Sequence, residues 1–169
     1  MKIRAETNSD ITEIESLTYR AFKNHPHHEP EAKPTEHLII NRLRDAKALT
    51  LSLVAEDDTG IIGHIAFSPI CVNGEDSFWY GIGPVSVIPE RQGEGIGGTL
   101  IREGLSQLKA QGVEGVVLLG EPKYYGRFGF EPQSNLILPG VPSEYFLALS
   151  LAHKIPTGEV AYHSAFFDE

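Results

Sequence analysis

The sequence predicts a mixed α/β fold built on a mainly antiparallel sheet. Three observations point there. The hydrophobic period switches from helical to alternating at Leu49 and returns to helical after Gly95. Asn73-Gly74, a hairpin dipeptide, separates two long runs of strand character. A glycine-rich turn then carries a strand into a helix, and a continuous apolar run at 116–119 follows, as expected of a strand covered on both faces. At 169 residues, one domain spanning 1–169 is favoured over two undersized ones.

The elements follow in order. Residues 2–5 read as a short strand. Asn8, Ser9 and Asp10 offer N-caps for a helix whose Ile11, Ile14, Leu17, Ala21 and Phe22 recur at helical spacing. The segment HPHHEPEAKP, residues 25–34, is rich in proline and cannot continue that helix. Thr35 caps a second helix with Ile39, Leu43 and Ala46 on one face. Leu49, Leu51, Leu53 and Ala55 alternate as in a strand, and Asp57-Asp58-Thr59-Gly60 is turn chemistry. Strands at 61–72 and about 78–88 complete an antiparallel meander. A helix over 95–111 turns Ile101, Leu105 and Leu108 inward, with Gly112 just past its end. Pro122 suits the first turn of a short helix ended by Gly129, and residues 145–151 and 159–163 read as final strands.

Composition narrows the function. With 41% hydrophobic and 22% charged residues the chain is globular, which excludes disorder, collagen-like repeats and coiled coil. Fourteen Lys and Arg against 23 Asp and Glu give a net charge of −9, with no basic run, so no nucleic acid partner is expected. An acidic chain can draw in cationic amines. No apolar run approaches the ~20 residues of a membrane helix, and the first residues lack a signal-peptide core, so a cytoplasmic protein without a membrane partner is expected. One cysteine, Cys71, permits neither an intrachain disulfide nor a multi-cysteine zinc site. Its default reading is a core thiol. His25, His27 and His28 lie in the proline-rich segment without ligand geometry, so no metal is expected.

The most informative stretch runs from Val85 to Gly98 and contains Gly93, Gly95, Gly97 and Gly98. Where side chains are absent, backbone N–H groups can approach an anion, and a helix N-terminus adds unpaired donors and partial positive charge. A phosphorylated ligand is therefore the better reading than a bare turn. Gly93, Gly95 and Gly98 formally satisfy G-x-G-x-x-G, with Glu121 near the place of a ribose-binding acid. That fingerprint wants glycine directly after its strand, whereas residues 89–92 intervene, and too few strand–helix alternations follow. A P-loop is excluded because no Gly-Lys-Ser/Thr occurs there.

Gln92-Gly93-Glu94-Gly95-Ile96-Gly97 resembles the Q/R-x-x-G-x-G/A signature of the GNAT (Gcn5-related) N-acetyltransferases, and Val85-Ser86-Val87-Ile88-Pro89 is similar to the strand before it. Tyr124-Tyr125-Gly126-Arg127-Phe128-Gly129-Phe130 resembles the Y-x-x-x-G-F segment of that family. The resemblance covers nearly the whole chain and is closest to small bacterial predicted acetyltransferases. It implies a mainly antiparallel sheet of six to seven strands, splayed in the middle and flanked by about four helices.

It also implies an acetyl-CoA-dependent N-acetyltransferase working by direct transfer to a primary amine of a small molecule or protein, without metal; a homodimer is compatible with it. Val85 and Val87 would offer main-chain bonds to the pantetheine arm, and an amide near Val87 would polarise the thioester carbonyl. Gln92, Gly93, Glu94, Gly95, Ile96 and Gly97 would hold the pyrophosphate, with Gly98 and Thr99 close behind. Arg91 either assists a phosphate or is solvated. Tyr125 matches the position of a tyrosine that protonates the CoA thiolate, as an alternative to simple aromatic packing. An amine with a pKa of about 10.4 must also lose a proton, and a positioned acid or base contributes about 10²- to 10⁴-fold. Glu121 is the candidate base, although a helix cap is its competing role. His64 is a strand histidine that either shuttles protons or is structural. Phe78, Trp79 and Tyr80 read as core or cleft wall. Two other classes compete: a non-catalytic acyl-CoA-binding regulatory module, and a nicotinamide-dinucleotide protein.

Overall fold

The computed structural model describes residues 1–23 and 33–167. His25, His27 and His28 lie outside the described residues. The described chain forms two compact units. The first takes in Met1–Phe67 and Gly83–Leu105, and the second takes in Ser68–Ile82 and the chain from Ser106 on.

In the first unit, β1 (Lys2–Ala5) pairs antiparallel with β2 (Leu51–Asp57), with Ile3 opposite Ala55. β2 in turn pairs antiparallel with β3 (Gly60–Val72). The end of β4 (Glu75–Val87) follows, where the Ile88 N–H donates to Ile62 O at 3.0 Å. Two helices cover β2. α1 (Ile11–Phe22) and α2 (Glu36–Asp45) bury Ile14 and Ile40 against Val54. Asp10 precedes α1, but its carboxylate turns back to the Thr7 N–H at 2.7 Å and to Arg4. On α2 Leu43 is buried as expected, but its inward partner is Ile40, while Ile39 is half-buried and Ala46 is exposed at the C-cap, past the last helical residue.

α3 (Ile96–Ala110) starts in the first unit. It lies close on β3 because two glycines leave room: a Cβ at Gly63 would meet Ile96 Cγ2 at 3.0 Å and Leu100 Cδ1 at 3.1 Å, and one at Gly104 would overlap the Phe67 ring. Ile101 and Leu108 are buried as expected, Leu100 joins them, and Leu105 is only half-buried.

In the second unit, the start of β4 pairs in parallel with β5 (Gly115–Leu119), from Trp79 opposite Gly115 to Gly81 opposite Val117. The ladder ends there, while β4 itself runs on through Pro84, which has no N–H to donate, to Val87. After the short α4 (Pro122–Tyr125) come β6 (Glu131–Pro132), β7 (Leu136–Ile137), β8 (Phe146–Ser150) and β9 (Gly158–Tyr162). β5 and β6 pair antiparallel with β8, β9 pairs antiparallel with residues 70–72 of β3, and β7 pairs in parallel with β9. The core is Trp79, Val117, Leu136, Phe146, Val160 and Tyr162 with their neighbours. Phe78 departs from the expected cluster: one step along the strand from Trp79, it points to solvent and is 67% exposed. Among the described residues there are nine strands; setting aside the two-residue β6 and β7 leaves seven, within the six to seven expected.

Candidate functional site

The glycine turn belongs to the first unit. Val85 and Val87 are half-buried at the end of β4, with Ser86 buried between them. A single 3₁₀ turn, Pro89–Arg91, leads out of the strand. Gly93 and Gly95 then adopt φ of +83° and +84°, the left-handed region where a side chain is strained. Nothing lies within 4 Å of where a Cβ would stand at either position, so these glycines serve the path of the chain and leave its surface open. The Gln92 N–H is satisfied by Pro89 O at 3.4 Å and the Thr99 N–H by Gly95 O at 3.1 Å. Between them, the backbone N–H groups of residues 93–98 have no acceptor among the described residues. Three of these donors are the ordinary orphans of a helix start; Gly93, Glu94 and Gly95 extend the run outward. The Gln92 side chain donates from Nε2 to Val87 O at 3.1 Å, and Thr99 Oγ1 donates to Gly95 O at 3.0 Å.

Arg91 sits between two carboxylates at this turn. Arg91 donates from Nη1 to Asp57 Oδ2 and from Nε to Glu94 Oε1 at 2.8 Å. The Glu94 and Asp57 carboxylates raise the guanidinium pKa further. Asp57 also accepts from Thr59, and the Thr59 hydroxyl followed by Arg91 holds its carboxyl well below the usual range. Glu90 accepts from Arg20 of α1 at 2.6 Å. Arg91 is thus engaged with carboxylates; it is not a solvated turn residue.

The aromatic turn belongs to the second unit. β5 ends at Leu119, and the Gly120 N–H donates to Tyr145 O at 2.9 Å. Glu121 is the N-cap of α4: its exposed carboxylate accepts from the Lys123 N–H at 3.5 Å, and Pro122 fills the first helical position. The Tyr125 N–H donates to Glu121 O at 3.0 Å. The Tyr125 ring occupies the space a Cβ at Gly120 would need. It meets Tyr124 edge-on with ring centroids 4.9 Å apart, and Phe130 edge-on at 6.4 Å. Burial, aided by neighbouring Tyr124, pushes the Tyr125 phenol up, so it remains a proton donor at neutral pH.

Other candidates resolve differently. His64 is fully buried, and its Nε2 lies 2.7 Å from Ser52 Oγ. The Ser52 hydroxyl donates to Glu6 Oε1 at 2.5 Å, and Glu6 is paired with Arg44 at 2.9 Å. With its one hydrogen committed to a carboxylate, Ser52 accepts from His64, so Nε2 carries the proton and buried Nδ1 is left without a partner. Burial lowers the imidazole pKa to about 4, which makes His64 a neutral structural residue at pH 7. Cys71 is half-buried near the hairpin, 3.8 Å from Asp76 Oδ1, and not a core thiol. A recess of about 440 Å³ beside Glu6, Arg44, Lys47 and Ser52 includes none of the sequence-predicted site residues. Among the described residues no three His, Cys, Asp or Glu gather as for a metal ion, and no helix is long and apolar enough to cross a membrane.

Residues 2–133 match a sequence profile described as an acetyltransferase (GNAT) domain. The chain is 39% identical, over 98% of both chains, to the uncharacterized N-acetyltransferase YhbS of Escherichia coli K12. It belongs to the GNAT acetyltransferase family. Its fold is accordingly the mixed α/β GNAT fold, and the protein is an N-acetyltransferase. Among solved structures, a GNAT acetyltransferase from Brucella melitensis in complex with acetyl-CoA is 49% identical, with a TM-score of 0.85 over 98% of this chain and 97% of that one. Escherichia coli YhbS in complex with CoA is 37% identical, with a TM-score of 0.88 over 99% of this chain and 92% of that one.

Proposed function

We propose that this GNAT protein uses acetyl-CoA and transfers its acetyl group directly to a primary amine, on a small molecule or a protein, in the cytoplasm. The observation that carries the reading is the run of N–H groups at residues 93–98 with no acceptor among the described residues, opening on two positive-φ glycines with free space above them. Such an array suits a diphosphate and needs no basic surface. The acetyl-CoA on the Brucella relative and the CoA on YhbS support the same ligand here.

Bound acetyl-CoA supplies an activated thioester carbonyl and a thiolate leaving group. In this proposal the amides of Gly93, Glu94, Gly95, Ile96 and Gly97 hold the diphosphate, with Gly98 and Thr99 behind them, while Gln92, whose own N–H is taken by Pro89 O, opens the turn. The main chain of Val85 and Val87 holds the pantetheine arm, Val87 O already accepting one bond from Gln92. Tyr125 gives its phenolic proton to the departing sulfur and is reprotonated from solvent. Glu121 takes a proton from the incoming amine through water, its carboxylate keeping an oxygen beyond the one that caps α4.

Two measurements test this reading. Saturating CoA raises the melting temperature, by the equivalent of about 2.7 kcal/mol when the ligand stands at 100 times its dissociation constant. An acetylation screen over amines and peptides, read by free CoA release, identifies the acceptor. No thermal shift would sink the ligand assignment, and binding without turnover across a broad screen would replace the enzyme by the binding module.

A further inference from the structure

We propose that Arg91 is a positioning residue that works through Asp57, locking the glycine turn in its ligand-ready shape, and that it does not contact the ligand's phosphates. This rests on the reading above that the turn holds a diphosphate. Arg91 stands immediately before Gln92, and its planar donor fork reaches two carboxylates at once: Asp57 at the end of β2, and Glu94 inside the turn. Asp57 is itself fixed, with Oδ1 accepting from the Thr59 N–H at 2.8 Å and its hydroxyl at 2.6 Å. The pair ties the strand-to-helix turn to the β2–β3 connection, two segments 34 residues apart. It is sheltered, with side chains 33% and 20% exposed, whereas the Arg20–Glu90 pair stands at 49% and 60%. Sheltered, geometrically matched pairs hold their shape; exposed ones contribute little.

The electrostatics point the same way. Arg91 faces two carboxylates, so without it Asp57 and Glu94 would stand uncompensated beside a bound polyanion. A guanidinium neutralising both removes that repulsion while holding Glu94, and the turn with it, in place.

The test separates a strut from a direct phosphate ligand. Binding of CoA and of S-acetylpantetheine, which lacks the diphosphate, is titrated for wild type, Asp57→Asn, Arg91→Gln, the double variant and Arg20→Gln. As a strut, Asp57→Asn and Arg91→Gln each weaken CoA about tenfold. The double variant is no worse than either, Arg20→Gln stays within twofold, and S-acetylpantetheine binding does not move in any variant. An Asp57→Asn protein that binds CoA as well as wild type or better, its Arg91 released toward the phosphates, overturns the proposal. So does equal weakening of both ligands. If wild-type protein itself binds CoA no more tightly than S-acetylpantetheine, the diphosphate reading falls and this inference with it.

Discussion

The two units of this chain are held by different forces. The first carries ion pairs at almost every junction: Arg4 to Asp10 and Glu56, Arg44 to Glu6, Arg20 to Glu90, and Arg91 to Asp57. The second is held by rings laid on bare backbone. A Cβ at Gly115 would overlap Trp79, one at Gly81 would overlap Tyr162, and one at Gly120 would overlap Tyr125. Even glycine changes meaning between them. At Gly93 and Gly95 it supplies a backbone angle under open space; at Gly81, Gly115 and Gly120 it supplies space under an aromatic ring. The first unit should therefore answer to pH, and the second to side-chain volume.

The largest expected effect asks whether the ring-held side does chemistry as well as packing. Tyr125→Phe keeps the ring on Gly120 and removes only the hydroxyl. It should lower kcat by about 100-fold or more while CoA affinity and melting temperature stay put. Unchanged turnover in the acetylation assay would return Tyr125 to a packing role.

Acid should act through the first unit. Buried His64 binds a proton near pH 4 when folded and near pH 6.5 when unfolded, so between those values the unfolded chain holds more protons. Stability is complete above pH 6.5 and falls as pH drops toward 4, by roughly 3 kcal/mol over the window. Glu6 adds to this: burial works against its charge, but Arg44 and Ser52 outweigh burial and keep its carboxyl below the usual range. Replacing His64 with Gln should flatten the slope of stability against pH in denaturant melts between pH 7 and 4.5. An unaltered slope would move the acid sensitivity elsewhere.

The smallest pair of effects contrasts the two kinds of glycine. Gly120→Ala should cost about 2 kcal/mol by driving a methyl group into the Tyr125 ring. Gly93→Ala has room for its methyl and should cost only about 1 kcal/mol of backbone strain, while weakening CoA by distorting the turn. Equal stability losses, or a CoA defect in Gly120→Ala alone, would erase the distinction.

Much of the fold is legible in the residues themselves. Period, hairpin chemistry and the Pro122 and Gly129 punctuation locate β3, β4, α3 and α4, because each signal is local. β6 and β7 escape because two residues carry no period and exist only through pairing with β8 and β9. The glycine turn is legible for the same reason as the hairpin: its glycines crowd one short stretch. Its brace is not, since nothing near Asp57 announces Arg91. Nor does anything announce the Arg44–Glu6–Ser52–His64 chain, which draws its members from two strands, a helix and the residue after β1. Gly63 and Gly104 read as weak points of a strand and a helix, and only the contact they permit explains them.

The charges around the glycine turn bear on how fast a ligand arrives. Three carboxylates, Asp57, Glu90 and Glu94, face two guanidinium groups, Arg20 and Arg91, on a chain whose net charge is −9. A polyanion diffusing toward that surface is repelled at long range, and only short-range amide contacts retain it after collision. Added electrolyte should therefore speed capture at first, the reverse of what a lysine-lined mouth would show.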